Sequence, residues 1–282
     1  MTLGGILTAM VTPFDRDGAV DEEAAARLMR HLLEHGSDGL VITGTTGESP
    51  TLTDDEMARL WELGVAECGE ATVVAGSGSN DTRHAIELTE RASAAGVDAV
   101  LVVAPYYNKP NRRGTVAHYE AVAAATDKPV VRYNIPSRSV IDLTNDLLAE
   151  LAEIPNVTAV KQARYEELEP IEGLDLLAGN DDMLARVLDM GGTGGITVSS
   201  HVVGEEMRRM IDEPDARAGI HESLSELFEA MFCAPSPIPV KAALNMLGHD
   251  VGGLRLPLVE ASDEERETVR AALDRVGVLS TA

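Results

Sequence analysis

Only four of the 23 cationic residues in this 282-residue chain are lysines, and one of them sits where chemistry can happen. Lys161 closes an apolar run, Val157-Thr158-Ala159-Val160-Lys161, that reads as a buried β-strand. An ammonium group at the end of a buried strand is costly unless it is paired or neutral. Burial lowers an amine's pKa, and a neutral amine is a nucleophile that forms a Schiff base with a carbonyl. The plainer reading is a lysine whose head reaches solvent or a carboxylate at the strand end. Lys109, Lys128 and Lys241 lie in Pro-flanked contexts that read as loops or helix starts.

Three further groups fall at the ends of strand-like runs. Gly44-Thr45-Thr46-Gly47-Glu48 offers backbone N–H groups and two hydroxyls suited to cradling a small carboxylate; an ordinary Gly-rich turn is the alternative. The chain has five tyrosines, and Tyr106, Tyr107 and Tyr133 lie beside strand ends, with Tyr119 and Tyr165 elsewhere. Three phenols near a strand-end Lys suggest a hydroxyl network able to move protons. Arg138, in Tyr133-Asn134-Ile135-Pro136-Ser137-Arg138, offers a planar fork for a carboxylate or a surface ion pair. His31-Leu32-Leu33-Glu34-His35 matches an HxxEH zinc pattern, but Leu32 and Leu33 serve a core stripe and no metal is expected. Gly76-Ser77-Gly78-Ser79-Asn80-Asp81 lacks the third glycine of a dinucleotide fingerprint, and no Walker-type motif occurs, so no cofactor is expected. Gly191-Gly192-Thr193-Gly194-Gly195 fits either close approach to a ligand or tight packing into the last strand.

The elements that must position these groups alternate. Apolar, β-rich runs occur at 5–11, 38–43, 72–76, 98–104, 129–134, 157–161, 174–178 and 194–199, with helical patterns between most of them. Thr53-Asp54-Asp55-Glu56 and Ser262-Asp263-Glu264-Glu265 are capping boxes, and Gly96 ends a helix that follows Asn80-Asp81-Thr82. Eight such β/α units predict an α/β fold, a (β/α)8 TIM barrel, with an open doubly wound sheet as runner-up. Past residue 200 the strand signals stop, and 204–212, 216–232, 237–247 and 263–277 read as helices. The expected organisation is a catalytic barrel over 1–215 and a C-terminal helical subdomain over 216–282.

The net charge of −24 argues against nucleic-acid and anionic-membrane partners. No apolar run approaches the length of a membrane span, and no signal peptide is visible. Cys68 and Cys233 form no CxxC and read as reduced core thiols of a cytoplasmic protein.

Taken together these features resemble the dihydrodipicolinate synthase (4-hydroxy-tetrahydrodipicolinate synthase) family of pyruvate-dependent class I aldolases. The resemblance runs from Val11-Thr12-Pro13-Phe14 through the turn at 44–48, Pro105-Tyr106-Tyr107-Asn108-Lys109-Pro110, the segment 133–138 and Lys161. It continues to Gly191-Gly192, Pro237-Ile238-Pro239-Val240-Lys241 and Leu254-Arg255-Leu256-Pro257. It implies that Lys161 forms the Schiff base with pyruvate. It further implies that Thr45, Tyr107 and Tyr133 relay protons, with Tyr107 reaching into a neighbouring subunit's site. Thr45 and Thr46 would hold the pyruvate carboxylate, Arg138 the carboxylate of aspartate 4-semialdehyde, and Ile196 would line the pyruvate pocket. The expected assembly is a homotetramer acting on these small molecules. Other readings are a sialic acid lyase-like or keto-deoxy sugar acid aldolase-like enzyme, or a non-catalytic ligand-binding homologue. Arg138 and the Tyr106-Tyr107 pair argue against the sugar-specific relatives.

The chain departs from the family pattern in places. Gln162 stands where an acid is common, Arg164-Tyr165 replaces small residues, Val140 replaces a common Gly, and Asn180 replaces Asp in a familiar Gly-Asp-Asp. The stretch 162–173 is short for a sixth helix. At the positions that bind lysine in feedback-inhibited members, Asn80 and Tyr106 are retained but Met57 and His84 replace a His and a Glu. Loss of the anionic partner implies weak or absent lysine feedback.

Overall fold

The computed structural model describes residues 3–279. Eight strands, each parallel to both neighbours, close into a barrel in sequence order. They are β1 (Gly5–Ala9), β2 (Gly39–Ile42), β3 (Thr72–Gly76), β4 (Ala99–Val103), β5 (Val130–Asn134), β6 (Val157–Gln162), β7 (Asp175–Ala178) and β8 (Gly194–Thr197). All eight expected runs are strands, because parallel strands covered on both faces need near-continuous apolar sequence. The open-sheet alternative falls with the β1–β8 pairing, in which Leu7 lies opposite Ile196.

Around the barrel run α1 (Glu22–Glu34), α2 (Asp54–Cys68), α3 (Thr82–Ala95), α4 (Arg112–Ala123), the short α5 (Pro136–Ser139), α6 (Asn145–Ala152), α7 (Leu184–Asp189) and α8 (Ser200–Asp212). Both capping boxes form: Thr53 opens α2, and Ser262 opens α11 (Asp263–Arg275), which follows α9 (Arg217–Ala230) and α10 (Ile238–Met246). Gly96 ends α3 in the left-handed conformation.

Strand periodicity sorts the side chains. Residues of one parity fill the barrel, among them Leu7, Val41, Val131, Tyr133, Ala159, Ala163, Leu177 and Ile196. Residues of the other parity, such as Val130 and Val160, face the helices. The sixth unit has no helix: residues 163–174 run from β6 to β7 as irregular chain. Polar bonds stitch the segment down instead. Arg164 pairs with Asp142 at 3.2 Å and with Glu167 at 2.7 Å. The Tyr165 hydroxyl donates to Asp182 and accepts from Asn180 Nδ2, each at 3.0 Å. Three of the departures, at 164, 165 and 180, thus belong to one local solution.

Three readings need correcting or resolving. Cys68 is buried as expected, but Cys233 is exposed in the turn after α9. Gly192 and Gly194 serve packing: a Cβ on Gly192 would lie 2.4 Å from Val187 Cγ1 and one on Gly194 2.1 Å from the Gly5 carbonyl oxygen, whereas one on Gly191 would meet open space. His31, at the HxxEH pattern, stacks on His35 at 4.1 Å and on His249 at 4.3 Å. Burial and these two neighbours press it down to about 4, so the ring is packed as neutral imidazole.

Candidate active site

Lys161 occupies the penultimate position of β6 and lies opposite Tyr133 of β5 and Leu177 of β7. Since Ala159 and Ala163 point into the barrel, alternation turns Lys161 inward too. The residue is 5% exposed, and no carboxylate lies within 4.0 Å of its amine among the described residues. Nζ sits 4.2 Å from the centre of the Tyr133 ring. Burial lowers its pKa to about 7, with Arg138 acting the same way and Asp181 opposing. The solvent-exposed and salt-bridged alternatives for this lysine are therefore both excluded by geometry.

Tyr133 is equally enclosed, and burial pushes its phenol up to about 12. Ile196 is fully buried on β8 in the same interior cluster. Thr45 and Arg138 share the wall of a cavity of about 390 Å³ with Tyr106, Ile135 and Ser139, at the strand ends beyond Lys161. Lys161, Tyr133 and Ile196 lie in the barrel interior and are not on that wall. Arg138 is exposed, with no carboxylate within 4.0 Å among the described residues, so its fork is free and the surface-ion-pair reading fails. Thr46 is buried; its hydroxyl accepts a long 3.5 Å contact from Ser236. Tyr107 stands apart. It is 85% exposed at a left-handed φ of 70° and meets none of the other candidates in the single chain.

The motif pattern does not single out Asp181, although an acid just after a barrel strand is the signal that could have. It is buried and accepts the N–H groups of Val198 at 2.8 Å and Ser199 at 2.6 Å. Burial raises its pKa, and the attraction of Lys161 counters that rise. The same cavity also holds Met57, His84 and Asp54. Asp54 Oδ1 lies 3.0 Å from His84 Nε2, so the cavity does contain a carboxylate. Weak lysine feedback was expected from the loss of one, and that ground no longer holds.

A desolvated amine, an enclosed phenol, a hydroxyl-bearing turn and a free guanidinium are the parts of an imine-forming site for an oxo acid. A family model described as the dihydrodipicolinate synthetase family matches residues 2–276. The chain belongs to that family. The 4-hydroxy-tetrahydrodipicolinate synthase of Moorella thermoacetica is 44% identical over 293 residues, covering 99% of this chain and all of that protein. A lysine-bound dihydrodipicolinate synthase structure from Cyanidioschyzon merolae superposes with a TM-score of 0.94 at 40% identity, covering 98% of this chain and 99% of the other. A structure described as a monomeric dihydrodipicolinate synthase variant gives a TM-score of 0.93 at 36% identity, covering 98% of each chain. Dihydrodipicolinate synthetase family membership thus spans both the barrel and the C-terminal helices.

Proposed function

We propose that this chain is a lyase of the class I aldolase type that condenses pyruvate with aspartate 4-semialdehyde to 4-hydroxy-tetrahydrodipicolinate, in lysine and diaminopimelate biosynthesis. The observation that carries the reading is Lys161, buried without a counter-ion within 4.0 Å, its pKa near 7, against the Tyr133 ring. The neutral amine attacks the ketone carbon of pyruvate, and loss of water gives the imine. Loss of a methyl proton gives the enamine, whose carbon attacks the aldehyde. The amine of the second substrate then displaces Lys161 and closes the ring.

Each proton transfer needs a relay, for which Tyr133, Thr45 and Tyr107 are the candidates. Tyr133, with a pKa of about 12, keeps its proton at neutral pH and passes one on by exchanging it for another. Backbone N–H groups at Thr45 and Thr46 hold the pyruvate carboxylate, and Ile196 lines that pocket. The unpaired fork of Arg138 suits the carboxylate of the semialdehyde, which favours this substrate over sugar aldehydes. Tyr107, exposed in one chain, serves a neighbouring subunit in a cytoplasmic homotetramer.

Borohydride treatment with pyruvate, read by mass spectrometry, is expected to place one reduced pyruvate on Lys161. An unmodified Lys161 would remove every pyruvate-aldolase reading. A coupled assay then separates aspartate semialdehyde from sugar aldehydes. Lys161→Ala is expected to abolish turnover and Tyr133→Phe to slow it roughly 10²–10⁴-fold.

A further inference from the structure

Four of the matching segments, 11–14, 44–48, 237–241 and 254–257, meet at one point away from the reacting amine. At its centre is the carboxylate of Glu48, the last residue of the Gly44–Glu48 turn, which Lys241 and Arg255 contact directly and segment 11–14 backs through Phe14 beneath those two cations. Glu48 Oε1 lies 2.7 Å from Lys241 Nζ, and both side chains are 1% exposed. Lys241 also donates to the Gly253 carbonyl at 2.6 Å and sits 4.2 Å from the centre of the Phe14 ring. Glu48 Oε2 accepts the Arg255 N–H at 3.0 Å. The Arg255 guanidinium lies 4.4 Å from the centre of the same Phe14 ring and grips both oxygens of Glu56, at 2.6 and 2.8 Å. Burial takes the Lys241 amine down to about 8, while Glu48 holds it up.

A buried ion pair of this kind is a poor device for stability alone. Desolvation offsets most of its attraction, and an apolar replacement of both partners is often neutral or better. What it does supply is a fixed position. Glu48 and Thr43, at the two ends of the turn, both adopt left-handed φ, 55° and 58°. L-residues enter that region only when the surroundings hold them there. Thr43 is held by the Trp61 indole N–H at 2.7 Å, Gly47 by the Thr12 hydroxyl donating to its carbonyl at 2.7 Å, and Glu48 by Lys241 and Arg255.

The charge matters as much as the position. Glu48 sits in the very turn that, on the reading above, receives a substrate carboxylate. An uncompensated anion there would repel that substrate through a poorly screening interior. We propose that Glu48 and Lys241 are positioning residues: the pair locks the turn so that Thr45 and Thr46 present their N–H groups to the substrate carboxylate, and it cancels the charge that would oppose binding. The inference rests on the carboxylate-cradle reading of the turn.

The test is the pyruvate concentration at half-maximal borohydride trapping of Lys161, in the full-length protein. Lys241→Met leaves Glu48 unpaired and is expected to raise it by at least about tenfold, since small misplacements and unpaired buried charge both act steeply. The maximal trapped fraction stays near one per chain. Glu48→Gln, which leaves a cation behind the turn, is expected to raise it less. A half-saturation within about twofold of wild type in Lys241→Met would overturn the proposal, as would a larger rise in Glu48→Gln. If Lys241→Met does not fold, the neutral double variant Glu48→Gln/Lys241→Met decides on the same readout. An increase of about threefold or more supports the lock, and an unchanged value overturns it. Failure of the cradle reading shows separately, as wild-type trapping that acetone, which lacks the carboxylate, matches at the same concentrations.

Discussion

An amine that titrates near neutrality makes imine formation sensitive to pH where an ordinary lysine would be inert. Only neutral Lys161 attacks, so adduct formation at limiting pyruvate is expected to rise with pH, reach half its maximum near pH 7 and level off above. Asp181 holds that value up, so Asp181→Asn is expected to move the midpoint to lower pH. Rates of adduct formation by mass spectrometry across pH 5–10 check both; a midpoint in the usual lysine range would mean that burial does not govern the amine. Lys161 is legible in the sequence as a candidate, a scarce lysine ending an apolar run, and the family resemblance rather than its position favours the catalytic reading over the plainer one. Asp181 and Glu48 are not. Their meaning depends on Lys161 in one case and on Lys241 and Arg255 in the other, brought together only by closure of the barrel and docking of the last helices.

At the scale of elements, periodicity locates all eight strands, because burial on both faces writes itself into the sequence as short apolar runs. The missing sixth helix is legible as missing length, but its replacement is not: Arg164 pairs with Asp142, and Tyr165 meets Asn180 and Asp182, across loops no local pattern describes. Val140 is a similar case. It takes the place of a common Gly, and in the structure it ends α5 with φ at 65°, left-handed, two residues from Arg138. A β-branched residue is a poor occupant of that region. The strain is about 1–2 kcal/mol, and the added unfolded-state freedom of a glycine returns about 0.4–1 kcal/mol of the gain. Val140 is 59% exposed, so little packing is lost on its removal. Val140→Gly is therefore expected to raise the thermal midpoint by about 2 °C. A lower midpoint in a melting curve would show that the Val side chain has a partner the single chain does not contain.

For the whole molecule, the proposed C-terminal helical subdomain over 216–282 is tied to the barrel, since Lys241 and Arg255 reach into the turn at Glu48. The proposed tetramer has a sharper consequence. Tyr107 projects from the loop after β4, 85% exposed, with its backbone in a conformation an L-residue adopts at a cost. If it completes the site of a neighbour across a two-fold axis, two defective chains can repair each other. Lys161→Ala has an intact Tyr107 to lend, and Tyr107→Phe has an intact Lys161 to receive it. In a mixed dimer one site carries both lesions and the other carries neither. Random pairing of equal amounts makes half the dimers mixed, so unfolding and refolding the two variants together is expected to restore about a quarter of wild-type turnover. The variants refolded separately and then combined, without exchange of subunits, should restore none. Co-refolding that leaves the rate at the sum of the separate variants would place Tyr107 in its own subunit's site or outside the relay altogether.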